Sequence, residues 1–321
     1  MVLVQPVSMP SLLPLTAIVP TRNRSEVFRR MLYSLAEQSV QPAQLVVVDA
    51  STDTDTESIC KNHIEGLRTT IIYQRAISVG AAVQRNQAFK SVAQPMILFL
   101  DDDIIFEPDC LSKMWFAANS GEDIGGVSAM ITNQQYGKPG KISRMVYCLL
   151  HGRSEGSYAG MCIGPALNLL PADSPDLPEV VPVEWLNTTC TMYKLDALPD
   201  PPFPMHFTGY SLMEDVTLSL TVGRTWKLVN ARTARIYHDT QPGEHKSNLK
   251  TIAKMDLINR YYVMTRVLRR KGTVNYSKLI FLQLFGLLSH LGNKAGWHSF
   301  PSLLIGKLAA VKSIVFMRME S

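Results

Sequence analysis

Short apolar runs that close on polar residues alternate, along the first 131 residues, with stretches whose apolar positions recur at helical spacing. Leu15-Thr-Ala-Ile-Val-Pro20 leads into the polar run Thr21-Arg-Asn-Arg24. Val27, Met31, Leu32 and Leu35 then fall on one helix face, with Ser25 placed to cap it. Gln44-Leu-Val-Val-Val-Asp49 reads as a second buried strand closing on a carboxylate, and Thr54 with Glu57 gives a capping-box pattern for a short helix. A third strand is expected over 69–74, and a helix opens at Gly80. Pro95 introduces the apolar run Met96–Leu100, which meets three consecutive carboxylates, Asp101, Asp102 and Asp103. Glu107-Pro-Asp109 starts the next helix with proline at its first position, and 126–131 is a further strand. This alternation predicts an α/β fold with a mostly parallel central sheet flanked by helices.

The alternation breaks after residue 131. Residues 133–182 are rich in Gly, Pro and Ser and too long for a plain connector, which is the profile of a substrate-shaping insertion. Residues 183–193 have strand composition, and Met213-Glu-Asp-Val216 opens a helix with acidic residues in its first turn. Short strands are expected at 226–229 and 235–237, the latter followed by His238. Residues 239–247, with Pro242-Gly243, have the character of a lid. Helical stretches at 250–271, 276–291 and 302–318 complete the chain.

Charge changes this picture in one place. The chain carries a formal +5, yet residues 246–321 hold 13 Lys or Arg against Asp256 and Glu320, a local +11 that leaves −6 for the remainder. A basic tail on an acidic body points to an anionic surface for the tail and away from nucleic acid for the whole. Five cysteines (Cys60, Cys110, Cys148, Cys162, Cys190), odd in number and without metal-type spacing, are what a reducing compartment permits. The first basic residue is Arg22, so no signal-peptide pattern is read, and no apolar run reaches the ~20 residues that span a bilayer. A cytoplasmic chain, peripheral on the cytoplasmic face of the membrane, is the expectation.

The candidate chemistry gathers at strand ends. Three adjacent carboxylates repel one another, so the end of the Met96–Leu100 run calls for a cation, most simply a divalent metal with oxygen ligands. A solvated, charged strand end is the alternative reading of the same residues. Open α/β sheets bind ligands outside the carboxyl ends of their strands. Asp49, the 21–24 run and the triple aspartate therefore form one site if they share a rim. Neither Gly-x-Gly-x-x-Gly nor a Walker A sequence is present, which removes the main support for dinucleotide oxidoreduction and P-loop chemistry.

Taken in order, five motifs resemble those of glycosyltransferase family 2, inverting enzymes with the GT-A fold. They are Ile18-Val-Pro-Thr-Arg-Asn-Arg24, Val47-Val-Asp-Ala-Ser51, Gly80 with Arg85-Asn86, Asp101-Asp-Asp103 and Glu214-Asp215. His238 stands where some members place a further metal ligand. The resemblance covers about residues 15–240. It departs from the family at Gln84, where small residues are usual, and in lacking a Gln-x-x-Arg-Trp motif after His238. That absence, with the absence of spanning helices, separates it from processive polysaccharide synthases.

The resemblance implies a non-processive hexosyltransferase that moves one sugar from a nucleotide sugar to a hydroxyl of a glycan or lipid-linked acceptor, in cell-surface or exopolysaccharide synthesis. It implies Asp103 as principal ligand of Mn2+ or Mg2+, with Asp101 and Asp102 sharing metal and ribose contacts, and His238 as a further ligand that would favour Mn2+. Asp215 is the expected general base, with Glu214 as its neighbour or an acceptor contact. Asp49 is expected to read the donor base, and a uracil imide N–H is the simplest partner, so a UDP-sugar is favoured. Pro20, Thr21, Arg22, Arg24, Ser51, Gly80 and Asn86 are assigned to the nucleotide side, and Arg85 to positioning Asp49 or the nucleotide. Trp185 either offers an aromatic face to an acceptor sugar or packs in the core. The tail helices either bury their apolar faces on the catalytic domain or dock on anionic lipid, and nothing sets the oligomeric state. The expected organisation is an N-terminal arm (1–14), a GT-A catalytic domain (15–245) and a basic, amphipathic helical region (246–321). The domain divides into a nucleotide-binding half (15–131) and an acceptor-binding half with its lid (132–245). Two alternatives stand beside this reading, a nucleotidyltransferase acting on sugar phosphates and a catalytically silent nucleotide-sugar or lipid-binding scaffold. The first usually carries an N-terminal Gly-rich phosphate loop, and Pro20-Thr-Arg-Asn-Arg24 lacks those glycines.

Overall fold

A computed structural model describes residues 11–241, 248–292 and 294–319. The first half runs β1 (Leu12–Thr21), α1 (Ser25–Ala36), β2 (Gln41–Asp49), α2 (Asp55–Lys61), β3 (Thr70–Arg75), α3 (Ala81–Phe89), β4 (Met96–Leu100), β5 (Ile104–Phe106), α4 (Cys110–Ala118) and β6 (Ile124–Ile131). The second half runs α5 (Lys141–His151), β7 (Cys162–Ile163), β8 (Leu167–Asn168), β9 (Val180–Val183), β10 (Cys190–Lys194), α6 (Glu214–Val222) and β11 (Lys227–His238). The tail holds α7 (Leu249–Tyr262), a π turn (Val263–Val267), α8 (Thr273–Ser289) and α9 (Lys294–Met319).

The main sheet has the order β3-β2-β1-β4-β10-β6-β11-β5, with β9 also paired to β11. β1 runs parallel to β2 and β4, and β2 to β3. β10 lies antiparallel between β4 and β6, so those two share a direction, and β11 runs parallel to β6. It follows that β1, β2, β4, β6 and β11 all deliver their carboxyl ends to one rim.

The continuous apolar runs form this sheet because both faces are covered. Successive side chains alternate faces. Ala17, Val19, Val47 and Leu98 pack with α1 and α4, while Ile18, Val46, Val48, Ile97 and Phe99 meet α3, α6 and the loop bearing Phe203. Burying each large aliphatic or aromatic side chain contributes about 1.5–3 kcal/mol. Phe99 sits edge-on to both Tyr193 and Phe203, which locks β4 against its neighbours.

Several expectations change. β1 begins at Leu12, inside the expected arm, and residues 1–10 lie outside the described residues. The helix after Glu107 begins at Cys110 instead of Pro108, because β5 forms first and Asp109, at φ 59°, turns the chain. Thr54 caps nothing with its side chain; the Asp53 carboxylate accepts the Asp55 N–H at 3.1 Å. The strand expected over 183–193 is two strands, β9 on β11 and β10 in the sheet centre. The two short strands around residue 230 are one, β11, whose register shift between Ala231 and Arg235 hides its continuity. The expected lid is only partly described, since 242–247 lie outside the described residues.

The tail is not a separate body throughout. Val263 and Val267 are buried in a cluster with Trp185, Met213 and Val216. Asn259 donates to the Leu212 carbonyl at 2.8 Å, and Arg260 donates to that of Ala166. His206 stacks on Tyr262 with ring centroids 4.5 Å apart. Packing therefore continues through residue 267, past the boundary expected at 245. The expectation of no membrane-length apolar segment is also corrected. Lys294–Phe316 is long and apolar enough to cross a membrane by length and composition, with a mean hydropathy of 1.4 over its most apolar stretch, 22% of which is buried. Pro301, Gly306, Lys307 and Lys312 break its run of apolar residues without lowering its mean enough to disqualify it. The case against a processive synthase then rests on the missing Gln-x-x-Arg-Trp motif.

Candidate active site

The triple aspartate divides by strand periodicity. Beyond Leu100 the Asp101 N–H donates to the Thr189 carbonyl at 3.0 Å, which holds the segment to the chain entering β10. Asp102 turns inward: one oxygen accepts from the Thr21 hydroxyl at 2.7 Å, the other from Arg24 at 3.2 Å. It is a brace for the loop after β1, with its two oxygens taken by Thr21 and Arg24. Burial raises its carboxyl to about 6, against the pull of Arg24 and Thr21. Asp103 accepts from His238 Nε2 at 3.0 Å and faces Arg24 at 3.4 Å. Burial pushes its carboxyl up, but the hydrogen bond and charge of His238, with Arg24, outweigh burial and hold it below the usual range.

Asp101, Asp103 and His238 offer ligand atoms that all lie within 4.8 Å of one another. His238 closes β11, opposite Ile104 of β5. Its backbone is clasped by the Asn133 side chain, at 3.0 and 2.8 Å, and its Nδ1 lies 3.1 Å from Gln134 Nε2. Both residues follow β6, which runs parallel to β11, so two strand ends aim one imidazole. Gln134 carries no signal in the sequence, since a single amide after a strand forms no pattern. Two carboxylates and an imidazole converging at a rim fit a divalent ion, and the mixed oxygen and nitrogen set suits Mn2+ better than Mg2+.

The nucleotide side is more tightly built than expected. Asp49 is fully buried, accepting the Ser51 N–H at 2.8 Å and the Tyr73 hydroxyl at 3.0 Å, with Arg75 at 3.5 Å. It fastens β2 to β3 and presents no oxygen to a base, so the UDP preference drawn from it has no geometric support. Ser51 is buried too, and its hydroxyl accepts the Asn23 N–H at 2.7 Å. Pro20 is buried at the end of β1, whereas Arg22 is exposed. Arg85 reaches Asp101 at 2.6 Å, not Asp49. Asn86 exchanges hydrogen bonds with the backbone of Phe203, at 2.7 and 3.0 Å, so its amide is committed to the loop bearing Phe203.

Gly80 has φ 141°, and a Cβ there would lie 2.7 Å from the Gly209 carbonyl oxygen; only glycine meets both demands. Gln84, the departure from the family pattern, donates to the carbonyls of Thr21 and Val48 at 3.1 and 2.7 Å and accepts the Gly80 N–H at 3.2 Å. One side chain thus splices the ends of β1 and β2 to the start of α3.

Glu214 and Asp215 open α6 behind Met213, whose φ of 74° turns the chain into the helix. Asp215 accepts the Val216 N–H at 2.7 Å. Burial raises both carboxyls: Glu214 to about 8, helped by the charge of Asp215, and Asp215 to about 6, against the Val216 N–H and Arg85. Both carboxyls of the pair are thus raised, Glu214 further than Asp215, so the pair favours sharing a proton over carrying two charges. Arg85 joins the two clusters. It is 1% exposed, lies 5.9 Å over the Phe203 ring and acts electrostatically on Glu214 and Asp215 while bonded to Asp101. Its Nε and Nη1 have no hydrogen-bond partner among the described residues.

Trp185 takes the core alternative. It is 5% exposed, packs on Met213 and Val216, and donates its indole N–H to the Leu169 carbonyl at 2.8 Å, which leaves no face for a sugar. A cavity of about 630 Å³ lies at the far end of α6, between Glu184, Trp226, Arg270 and Lys278, and shares no residue with the rim.

Residues 16–166 match the family model described as Glycosyl transferase family 2. Over this segment the chain is similar to family 2 glycosyltransferases. The chain is 30% identical over 110 residues to validoxylamine A glucosyltransferase of Streptomyces hygroscopicus subsp. limoneus, covering 33% of this chain and 24% of that protein. It thus matches about a quarter of the length of such curated relatives. Among solved structures, a mannosyltransferase from Pyrobaculum calidifontis in complex with GDP-Man and Mn2+ superposes with a TM-score of 0.53 at 15% identity, over 93% of this chain and 75% of that one. GalNAc-T7, solved with UDP, GalNAc and Mn2+, gives 0.52 at 12% identity, over 79% and 47%. These two are likenesses of fold, and the architecture they share with this chain is GT-A.

Proposed function

We propose that this chain is an inverting, divalent-metal-dependent glycosyltransferase that moves a single sugar from a nucleotide sugar to a hydroxyl of a glycan or lipid-linked acceptor in surface-glycan synthesis. The observation that carries the reading is the pairing of Asp101, Asp103 and His238 with Glu214 and Asp215 across the buried Arg85. Asp101, Asp103 and His238 would hold the ion, which when bound supplies a Lewis acid and a charge clamp for a departing diphosphate. Asp215, ionised at neutral pH, takes the proton of the acceptor hydroxyl as its oxygen attacks the anomeric carbon and the bond to the diphosphate breaks. One base opposite the leaving group means inversion. Glu214, protonated, donates a hydrogen bond to the acceptor. Arg85 keeps Asp215 ionised and Asp101 in place. Arg24 and Asp102 hold the loop after β1 against the nucleotide.

The basic tail, +11 over residues 246–321, supports a peripheral position on the cytoplasmic face of a membrane. The test is a thermal-shift panel of UDP-, GDP- and dTDP-sugars with Mn2+ and Mg2+, followed by product analysis. A metal-dependent shift with one donor, and release of a nucleoside diphosphate, is the expected result. Pyrophosphate release from a nucleoside triphosphate and a sugar phosphate would turn the reading to a nucleotidyltransferase. Binding without turnover would make the chain a scaffold.

A further inference from the structure

Helices α5, α8 and α9 carry no Asp or Glu, a property they share with α3 and α4. Each of the first three also exposes an apolar stripe. On α5 it is Ile142, Met145 and Leu149, at 71%, 73% and 56% exposure, spaced as one helix face. On α8 it is Ile280, Leu284 and Leu288, four residues apart. On α9 it includes Ile305, Leu308, Val311 and Val315.

The stripes belong to neighbouring helices. Val146 and Leu150, on the buried side of α5, pack with Leu282 and Phe285 of α8, and Lys278 of α8 donates to the Leu150 carbonyl at 2.6 Å. On its other side α8 meets α9, where Leu279 packs with Ala310 and Gln283 accepts from Lys307. Lys307 also faces Asp256 of α7 at 3.5 Å, and Gly306 lies against the backbone of Lys250, so α9 is docked along α7. α8 therefore lies between the other two.

We propose that α5, α8 and α9 form one docking surface for an anionic lipid bilayer, with α5 extending the contact from the tail into the acceptor half of the catalytic domain. This rests on the membrane reading of the tail given above. Charge complementarity selects the occupant. Lys138, Lys141 and Arg144 are exposed around the α5 stripe, Lys312 lies in the α9 face, and no carboxylate on these helices opposes them. Apolar residues that enter the acyl boundary, ringed by Lys and Arg at the phosphate level, are the pattern of an interfacial helix.

The position of α5 gives the contact a purpose. From Gln134, on His238, to Lys141 the chain takes seven steps, which span at most about 25 Å. The docking surface thus begins within one short loop of the metal ligands, where an acceptor tethered to lipid presents its hydroxyl.

Sedimentation with vesicles tests this on the full chain. The protein is expected to pellet with vesicles containing phosphatidylglycerol and to stay in solution with pure phosphatidylcholine. Ile142→Glu, Met145→Glu and Leu149→Glu together should weaken phosphatidylglycerol binding at least tenfold, with thermal midpoint and donor hydrolysis unchanged. Lys141→Glu with Arg144→Glu, which keeps the apolar stripe, should weaken it as well and more at low salt than at high. If the full chain binds these vesicles and both α5 variants bind as it does, the role of α5 is overturned and the tail reading survives. If the full chain ignores phosphatidylglycerol, both fall. A change in oligomeric state on α5 substitution, with vesicle binding intact, would make the surface a contact between copies and also overturn the proposal.

Discussion

The rim and the helical flank handle charge in opposite ways. At the rim, carboxylates and guanidinium groups are drawn into a part-buried cluster: Asp102 with Arg24 and Thr21, Asp103 with His238, Asp101 with Arg85. On α5, α8 and α9 carboxylates are missing altogether, and apolar side chains stand in solvent. Removing one member of a rim pair leaves a buried partner uncompensated, and desolvation raises the carboxyls of Glu214 and Asp215. The flank has nothing buried in its stripes to lose. If the flank docks on lipid as proposed, chemistry and location are carried by separable surfaces of one chain, and substitutions should separate them.

The largest separation is expected at Asp215. Asp215→Asn should lower transfer by about 10²–10⁴-fold while donor binding, read by thermal shift, is retained. Near-normal turnover would remove Asp215 from the mechanism. Trp185→Ala comes next and acts on folding instead: emptying its site beside Met213 and Val216 should cost about 3–5 kcal/mol in denaturant unfolding, where loss of an acceptor contact alone would raise KM and leave stability intact. Gln134→Ala should cut metal affinity or activity about 10–100-fold, read by Mn2+ titration, because it orients the His238 ring.

A smaller effect lies in pH. Asp215 acts as a base only when ionised, and its carboxyl is raised to about 6, so kcat/KM should climb between pH 5 and 7. Glu214, pushed up to about 8, keeps its proton over that window, and the limb should vanish from the residual rate of Asp215→Asn. The smallest effect is expected on the flank: Leu308→Ser should move stability by less than about 0.5 kcal/mol and leave turnover of a soluble acceptor unchanged.

Much of the rim was legible because its residues are adjacent in sequence and close an apolar run. The triple aspartate announces itself, and the ordered motifs carry Asp215 and His238. The period-2 alternation that sends Asp102 inward and leaves Asp101 with Asp103 was present in the same three residues, but it decides nothing until Thr21 is known to lie beneath. Asp49 shows the limit of motif reading. Its fate depends on Tyr73 of the adjacent strand, a partner that a linear pattern does not reveal. Gln84 and Gln134 are single amides whose roles come from four strand ends, those of β1, β2, β6 and β11, meeting in space. The length of α9 was masked by Lys307, which points back at Asp256 and Gln283 and so interrupts the sequence more than it interrupts the exposed face.

The π turn that places Val263 and Val267 behind Met213 and Val216 has a practical consequence. A fragment ending at residue 245 would strip the backing from the helix that bears Glu214 and Asp215, and it should express poorly and exchange its α6 amides quickly. A fragment ending near residue 271 keeps that backing and sheds α8 and α9. Limited proteolysis of the intact chain should find the same joint, cutting around Arg269-Arg270-Lys271 and leaving a core that still unfolds as one unit.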